Sequence, residues 1–166
     1  MGERRSLWAP LDGLKRWLYR GDRPGAVAGI LNAFWARQYA VGGRLARARD
    51  VQLEVRGRRS GRLVTFPIVL ADVDGHWYAV SMLGANANWV RNVRAADGRA
   101  VIRHGAAQEV RLVEVPASER AAILKRYAAV APGARPHMSV GHRRPVADFE
   151  AIAGDFPTFR VDGYTT

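Results

Sequence analysis

The chain has 166 residues, and its 26 basic and 15 acidic side chains give a formal charge of +11. Hydrophobic residues make up 48% of it, which excludes a disordered chain and predicts one domain with a sizeable core. Because no cysteine is present, disulfides, thiolate zinc sites and cysteine nucleophiles are excluded.

The positive charge indicates three classes of partner, namely nucleic acid, anionic lipid or an acidic small molecule. Nearly all of the basic residues are arginines, and we attribute much of the charge to a solvated arginine-rich surface. No nucleic-acid reader motif is present, so specific nucleic-acid binding is not expected. No secretory signal and no run of 18 apolar residues is seen, so we expect a cytoplasmic protein.

Two helices are predicted in an N-terminal helical segment, residues 1–45, packed on or beside the rest of one domain, 1–166. Leucines at spacings of four, three and four predict the first helix over residues 7–20. A second apolar stripe runs from Val27 to the pair Gly42-Gly43. The first helix is basic and contains tryptophan, so residues 4–20 have an alternative role as a peripheral contact with the inner membrane face.

From residue 51 the apolar period changes to two, which predicts strands over 51–56, 63–73 and 76–83. Pro67 restricts the second strand to an edge, a bulge or a kink. Asp74-Gly75 predicts a tight hairpin turn. A loop and a short helix over 84–97 follow, with Asn86 or Asn88 as the helix cap.

The C-terminal half adds two strands, two helices and a last strand. The strands are predicted over 99–104 and 108–115, around Gly105, and the last strand over 158–161. Ser118 is the expected cap of a helix over 119–130, and residues 146–153 predict a short helix. This order predicts a mainly β, α+β protein in which an antiparallel barrel over 51–161 carries helices on its outside.

Familiar catalytic and metal motifs are absent from the sequence. Neither the dinucleotide-binding nor the P-loop glycine pattern occurs, and the four histidines are scattered, with no carboxylate beside His137 or His142. We therefore expect no metal site.

Two stretches carry the candidate chemistry. The first is the arginine turn, residues 56–62, whose guanidinium groups, backbone N–H groups and Ser60 hydroxyl suit a phosphate or a carboxylate. The second, residues 81–95, begins at Ser81 where a strand ends and continues into a short helix. Trp89 in its first turn is either a core residue or the wall of a site for a planar cofactor.

These stretches together resemble a known family. The segments GRRSGRLVTFPI (57–68), YAVSMLG (78–84) and NWVRNVRA (88–95) are similar in order and spacing to the deazaflavin-dependent nitroreductase and quinone reductase family of actinobacteria. The resemblance covers residues 51 to about 131. It implies a split antiparallel β-barrel of the flavin-reductase type that binds coenzyme F420 and passes a hydride to a quinone, enone or nitro compound.

The resemblance also implies roles for single residues. Arg58, Arg59 and Ser60 are expected to hold the anionic tail of F420, and Thr65 and Pro67 to lie on the strand that lines the ring. Ser81 is the expected catalytic residue beside the ring or the acceptor. The remaining expected cofactor contacts are Val64, Met82, Asn88, Trp89 and Asn92.

The sequence departs from the family pattern at two of these positions, since Val64 and Met82 stand where many members carry a basic residue. FMN is the alternative cofactor. The alternative function is that of a non-catalytic lipid- or membrane-associated protein of the same fold. Split barrels are commonly dimers, so a homodimer is the expected assembly.

Overall fold

The computed structural model describes residues 49–166, which belong to one unit of the chain. The predicted helical segment 1–45, with its membrane-facing alternative at 4–20, lies outside the described residues and stays a prediction. Within the described residues, no helix is long and apolar enough to cross a membrane.

Six antiparallel strands close into a barrel in the order β1-β2-β3-β6-β5-β4. Apolar residues alternate along the strands, so one face of each strand fills the interior. The predicted antiparallel α+β barrel is therefore confirmed. The strands are β1 (Asp50–Arg56), β2 (Leu63–Val73), β3 (His76–Val80), β4 (Arg99–His104), β5 (Ala106–Glu114) and β6 (Thr158–Asp162).

Three α-helices and two 3₁₀ turns join the strands of the described chain. The helices are α1 (Asn88–Ala95), α2 (Ala121–Val130) and α3 (Val146–Glu150), and the 3₁₀ turns are Ala117–Glu119 and Pro132–His137. Helix α1 connects β3 to β4 and adds Val90 and Val93 to the core that the barrel strands form. Its position on the barrel is therefore determined largely by apolar packing.

The barrel has a gap beside the first half of β2. Residues 63–69 of β2 pair with β1, but β3 pairs only with residues 70–73. Among the described residues, the first half of β2 therefore has a strand on one side only. Pro67 lies in this half, opposite Gln52, and its missing N–H costs no ladder hydrogen bond at an open edge.

Strand β3 ends at Val80, three residues earlier than the sequence predicts. The Ser81 N–H still donates to the carbonyl of Pro157, which continues the register of β3 with β6, and the backbone then turns because the Gly84 N–H donates to the carbonyl of Ser81. Gly84 has φ +75°, a conformation that a side chain disfavours.

Both predicted helix caps are wrong. Helix α1 begins at Asn88 after Ala87, and within the described residues no side chain caps its N-terminus. Asn86 instead accepts a hydrogen bond from Arg91. Ser118 lies in a 3₁₀ turn, and the residue before α2 is Arg120, whose side chain is buried and bound to backbone carbonyls.

Candidate functional site

The arginine turn is held by its own backbone. The Gly57 N–H donates to Arg62 O at 2.8 Å, and the Gly61 N–H donates to Gly57 O at 2.8 Å. Gly61 has φ +66°, and a Cβ on Gly57 would lie 2.8 Å from Ser60 Oγ. Ser60 Oγ accepts a hydrogen bond from the Arg62 N–H at 3.3 Å. Gly61 is therefore favoured by its backbone conformation, a side chain at Gly57 would displace the Ser60 hydroxyl, and that hydroxyl helps to hold the turn.

A direct contact joins the arginine turn to helix α1. The backbone N–H of Arg58 and its Nη1 both donate to Asn92 Oδ1, at 3.2 and 2.9 Å, across 34 residues of sequence. Asn92 is buried, with 6% of its surface exposed, whereas Arg58 is exposed. The structure thus brings two of the predicted cofactor residues together.

Two other arginines of the turn, Arg59 and Arg62, have no carboxylate partner among the described residues. Elsewhere on the barrel many arginines pair with carboxylates, as Arg126 does with Asp72 at 2.9 Å. Within residues 49–166, no acidic side chain pairs with Arg59 or Arg62, and both are exposed. The tip of the turn therefore presents two guanidinium groups to an external anion.

Trp89 packs against the core and remains partly exposed to solvent. Its ring centroid lies 6.0 Å from that of Phe66 on β2 and 5.5 Å from that of Phe159 on β6. The residue is half-buried and packs against the core cluster. The core interpretation of this tryptophan is confirmed in part, because the ring packs against the core beside the open half of β2, and its role as the wall of a cofactor site stays a prediction.

The predicted residues of β2 lie on two faces of the strand. Val64 shares a face with Phe66, toward the interior, while Thr65 and Pro67 alternate to the outside. Thr65 Oγ1 donates to Glu54 Oε2 at 3.2 Å. All three residues are half-buried along the open part of the strand.

The Ser81 hydroxyl is engaged within its own turn. Its Oγ donates to Gly84 O at 2.8 Å, and the residue is 1% exposed. Met82 is half-buried and Asn88 is exposed at the start of α1. Among the described residues, no hydrogen bond joins Ser81 or Met82 to the arginine turn, so their predicted roles stay predictions.

Sequence reasoning missed a buried carboxylate beside the turn. Glu54 is only 9% exposed although it alternates with core residues, and its Oε2 also accepts from Arg103 Nε at 3.2 Å. It lines a cleft of about 560 Å³ together with Arg56, Arg58, Leu63 and Ala95. The polar alternation of β1 gave no signal for this burial, which depends on neighbours from β2 and β4.

A second missed group lies at the far end of α1. Arg94 Nε and Nη2 donate to the two oxygens of Glu114 at 2.9 and 2.7 Å. This hydrogen-bonded contact lowers the pKa of Glu114 despite the opposing effect of partial burial, so the carboxylate is ionised at neutral pH. Nothing in the spacing of these residues, 20 positions apart, indicates the contact.

Residues 31–147 match the family model described as F420H(2)-dependent quinone reductase. The chain belongs to this family. The name of this family specifies coenzyme F420 as the cofactor, in agreement with the resemblance of the three sequence segments. No curated protein matches the chain.

Several solved structures are similar to the chain at low identity. The protein Atu2129 of Agrobacterium tumefaciens, of unknown function, is 17% identical with a TM-score of 0.49, and the match covers 70% of this chain and 49% of that one. The F420-H2 dependent reductase FDR-A is 18% identical with a TM-score of 0.46, covering 73% and 100%. A FAD-binding protein of Mesorhizobium loti is 18% identical with a TM-score of 0.45, covering 72% and 83%. This chain therefore spans about half the length of the Agrobacterium protein.

Proposed function

We propose that the protein is an F420H2-dependent reductase that delivers a hydride to a small organic acceptor, with a quinone as the first choice and an enone or a nitro compound as the others. The observation that carries the proposal is the contact between Arg58 and Asn92. It joins two of the three segments of the family resemblance, the arginine turn and α1, next to the open half of β2.

The donor set of the turn fits the anionic tail of F420. Arg59 and Arg62 are exposed and lack a carboxylate partner among the described residues, and guanidinium groups bind phosphate and carboxylate through paired N–H donors. Arg58 has a different part in the proposal. Its guanidinium and its backbone N–H hold the turn against Asn92, so the backbone from which Arg59 and Arg62 extend is fixed.

The open half of β2 fits the ring. Residues 63–69 lack a strand partner on one side within the described chain, so backbone groups there are available to a planar ring with donors and acceptors along one edge. Trp89 lies beside this strand, 6.0 Å from Phe66 between ring centroids, and can wall the ring.

Reduced F420, when bound, supplies the hydride. The residues of this chain then bind the tail, orient the ring and limit the access of water to the acceptor. Ser81 is the proposed donor to the acceptor oxygen. Since its hydroxyl now donates to Gly84 O, it has to exchange that bond before it can donate elsewhere.

The test measures F420 affinity by cofactor fluorescence and F420H2 oxidation with a soluble quinone, with FMN titrated in parallel. A charge-assisted contact contributes roughly 1.5–3 kcal/mol, so Arg59→Glu should weaken F420 binding at least about tenfold. Arg143→Glu, which removes an exposed arginine from the loop before α3, is the control with the same charge change.

High salt should also weaken binding by the wild type more than by Arg59→Glu. Equal F420 affinity of the Arg59→Glu and Arg143→Glu proteins would remove the turn from the site. Tight FMN binding without F420 binding would contradict the proposed cofactor.

A further inference from the structure

Helix α1 carries Trp89 and Asn92, but its own cap and its apolar contacts only weakly fix its rotation about the helix axis. It is eight residues long, and within the described chain it has no side-chain cap and no acidic residue in its first turn. Its buried apolar residues are Val90 and Val93. Apolar packing is non-directional, so two valines hold the helix on the barrel without strictly fixing its roll about the helix axis.

Two directional contacts flank these valines. Successive residues of an α-helix are rotated by about 100° around the helix axis. Asn92 and Arg94 are therefore separated by about 200° on the side of α1 that carries Val90 and Val93. Trp89 lies in the arc between them. Asn92 is bound by Arg58 on one flank, and Arg94 is bound by Glu114 on the other.

The Glu114 side of this arrangement is itself anchored. Glu114 Oε1 also accepts from Arg120 Nη2 at 3.3 Å. The Arg120 side chain is 9% exposed, and its remaining contacts are with backbone oxygens. Those acceptors are Val115 O at 2.8 Å, Ala153 O at 3.2 Å and Phe156 O at 3.4 Å. Three backbone acceptors on two segments of the chain therefore fix the guanidinium that holds Glu114.

Glu114 is also connected to Trp89 through the neighbouring strand β6. Glu114 on β5 pairs across the ladder with Phe159 on β6, and the Phe159 ring lies 5.5 Å from that of Trp89. Loss of the contact between Arg94 and Glu114 therefore frees the C-terminal end of α1 beside β5 and β6, and Phe159 of β6 is the residue that packs on Trp89.

We propose that Arg94 and Glu114 are positioning residues, which fix the roll of α1 and thereby the Trp89 wall of the site. Neither residue touches the cofactor in this proposal. Its effect on F420 rests on the function proposed above, whereas its effect on the Trp89 ring does not.

Arg94→Met tests the proposal without leaving the buried Arg120 unpaired, since Glu114 keeps that contact. Arg111→Met is the matched control, because Arg111 is also exposed and its Nη2 lies 2.8 Å from Asp97, which follows the helix. We expect Arg94→Met to raise the Kd for F420 at least fivefold, at a temperature where both variants are folded. The control should stay within twofold of the wild type.

A double-mutant cycle distinguishes positioning from a general loss of structure. In a Trp89→Ala background, Arg94→Met should change the F420 Kd by less than twofold, because the ring it positions is gone. Glu114→Gln, which removes the charge and one of the two acceptor oxygens but leaves one oxygen for Arg120, should raise the Kd in the same direction as Arg94→Met. Equal losses with and without Trp89 would overturn the proposal.

A readout without ligand keeps this inference separate from the proposed function. The indole N–H resonance of Trp89, assigned by its loss in Trp89→Ala, should shift in Arg94→Met and stay in place in Arg111→Met. If the wild type fails to bind F420, the proposed function is wrong while this resonance still decides the positioning role. An unmoved resonance in Arg94→Met overturns the inference whatever the cofactor result.

Discussion

Replacing Asn92 with alanine tests whether the contact between α1 and the arginine turn holds the site together. Asn92 Oδ1 accepts two hydrogen bonds from Arg58, one from a charged guanidinium at 2.9 Å and one from the backbone N–H at 3.2 Å. The acceptor is 6% exposed. Water therefore has little room to replace it on the helix side, although Arg58 itself stays solvated.

The expected loss follows from these two bonds. A hydrogen bond from a charged donor contributes roughly 1.5–3 kcal/mol and a neutral one about 1 kcal/mol. Solvation of the exposed Arg58 offsets part of this, and alanine regains about 0.5 kcal/mol of helix propensity. We expect Asn92→Ala to lower the free energy of unfolding by about 1.5–2.5 kcal/mol, which corresponds to a melting temperature lower by roughly 3–10 °C.

Thermal melts followed by circular dichroism measure this difference, and the control is Asn88→Ala in the same helix. Asn88 is exposed, so the same substitution there should change stability by less than about 0.5 kcal/mol. F420 affinity should fall in Asn92→Ala because the turn loses its support. Equal melting temperatures for the two variants would refute the argument that Asn92 secures the turn.

Two further predictions concern the backbone around the site. Ser81→Ala should lower stability by about 1 kcal/mol through the lost bond to Gly84 O, and should lower kcat more than F420 affinity; an unchanged kcat in steady-state assays would remove Ser81 from catalysis. Gly98→Ala should cost about 2–4 kcal/mol, because φ is +77° and a Cβ would lie 2.5 Å from Leu112 O. Gly105→Ala, with a similar φ but open space, should cost only about 1–2 kcal/mol. Equal losses in denaturant titrations of these two variants would contradict the clash.

The period-two alternation was enough to predict the strands, because one face of each strand fills a closed barrel. Val51, Leu53 and Val55 are buried as the pattern requires. The end of β3 was missed by three residues. After a last backbone bond from Ser81 to Pro157, the chain leaves the sheet through the turn that the Gly84 N–H closes on Ser81 O, and the period-two alternation does not indicate where that turn begins.

The candidate site was predicted mainly from sequence motifs that resemble a known family, and only in part from the physical chemistry of the residues. The glycines and arginines of the turn indicate a tight basic bend, and the structure has one. That Arg58 meets Asn92 could not be derived from spacing, because the contact depends on how α1 lies across the barrel. The burial of Glu54 likewise depends on residues of two neighbouring strands.

The arginine turn divides its four arginines between two tasks. Arg56 Nη1 donates to Gly61 O at 2.7 Å within the turn, and Arg58 binds Asn92 across to α1. Two positive charges are thus used for the geometry of the bend. Arg59 and Arg62 remain without a carboxylate partner in the described chain, and the fixed bend limits the positions their donors can take. In the proposed function, these two arginines bind the anionic tail of the cofactor. The fixed backbone of the bend then reduces the conformational entropy lost on binding, while the two exposed side chains still have to be ordered by the anion.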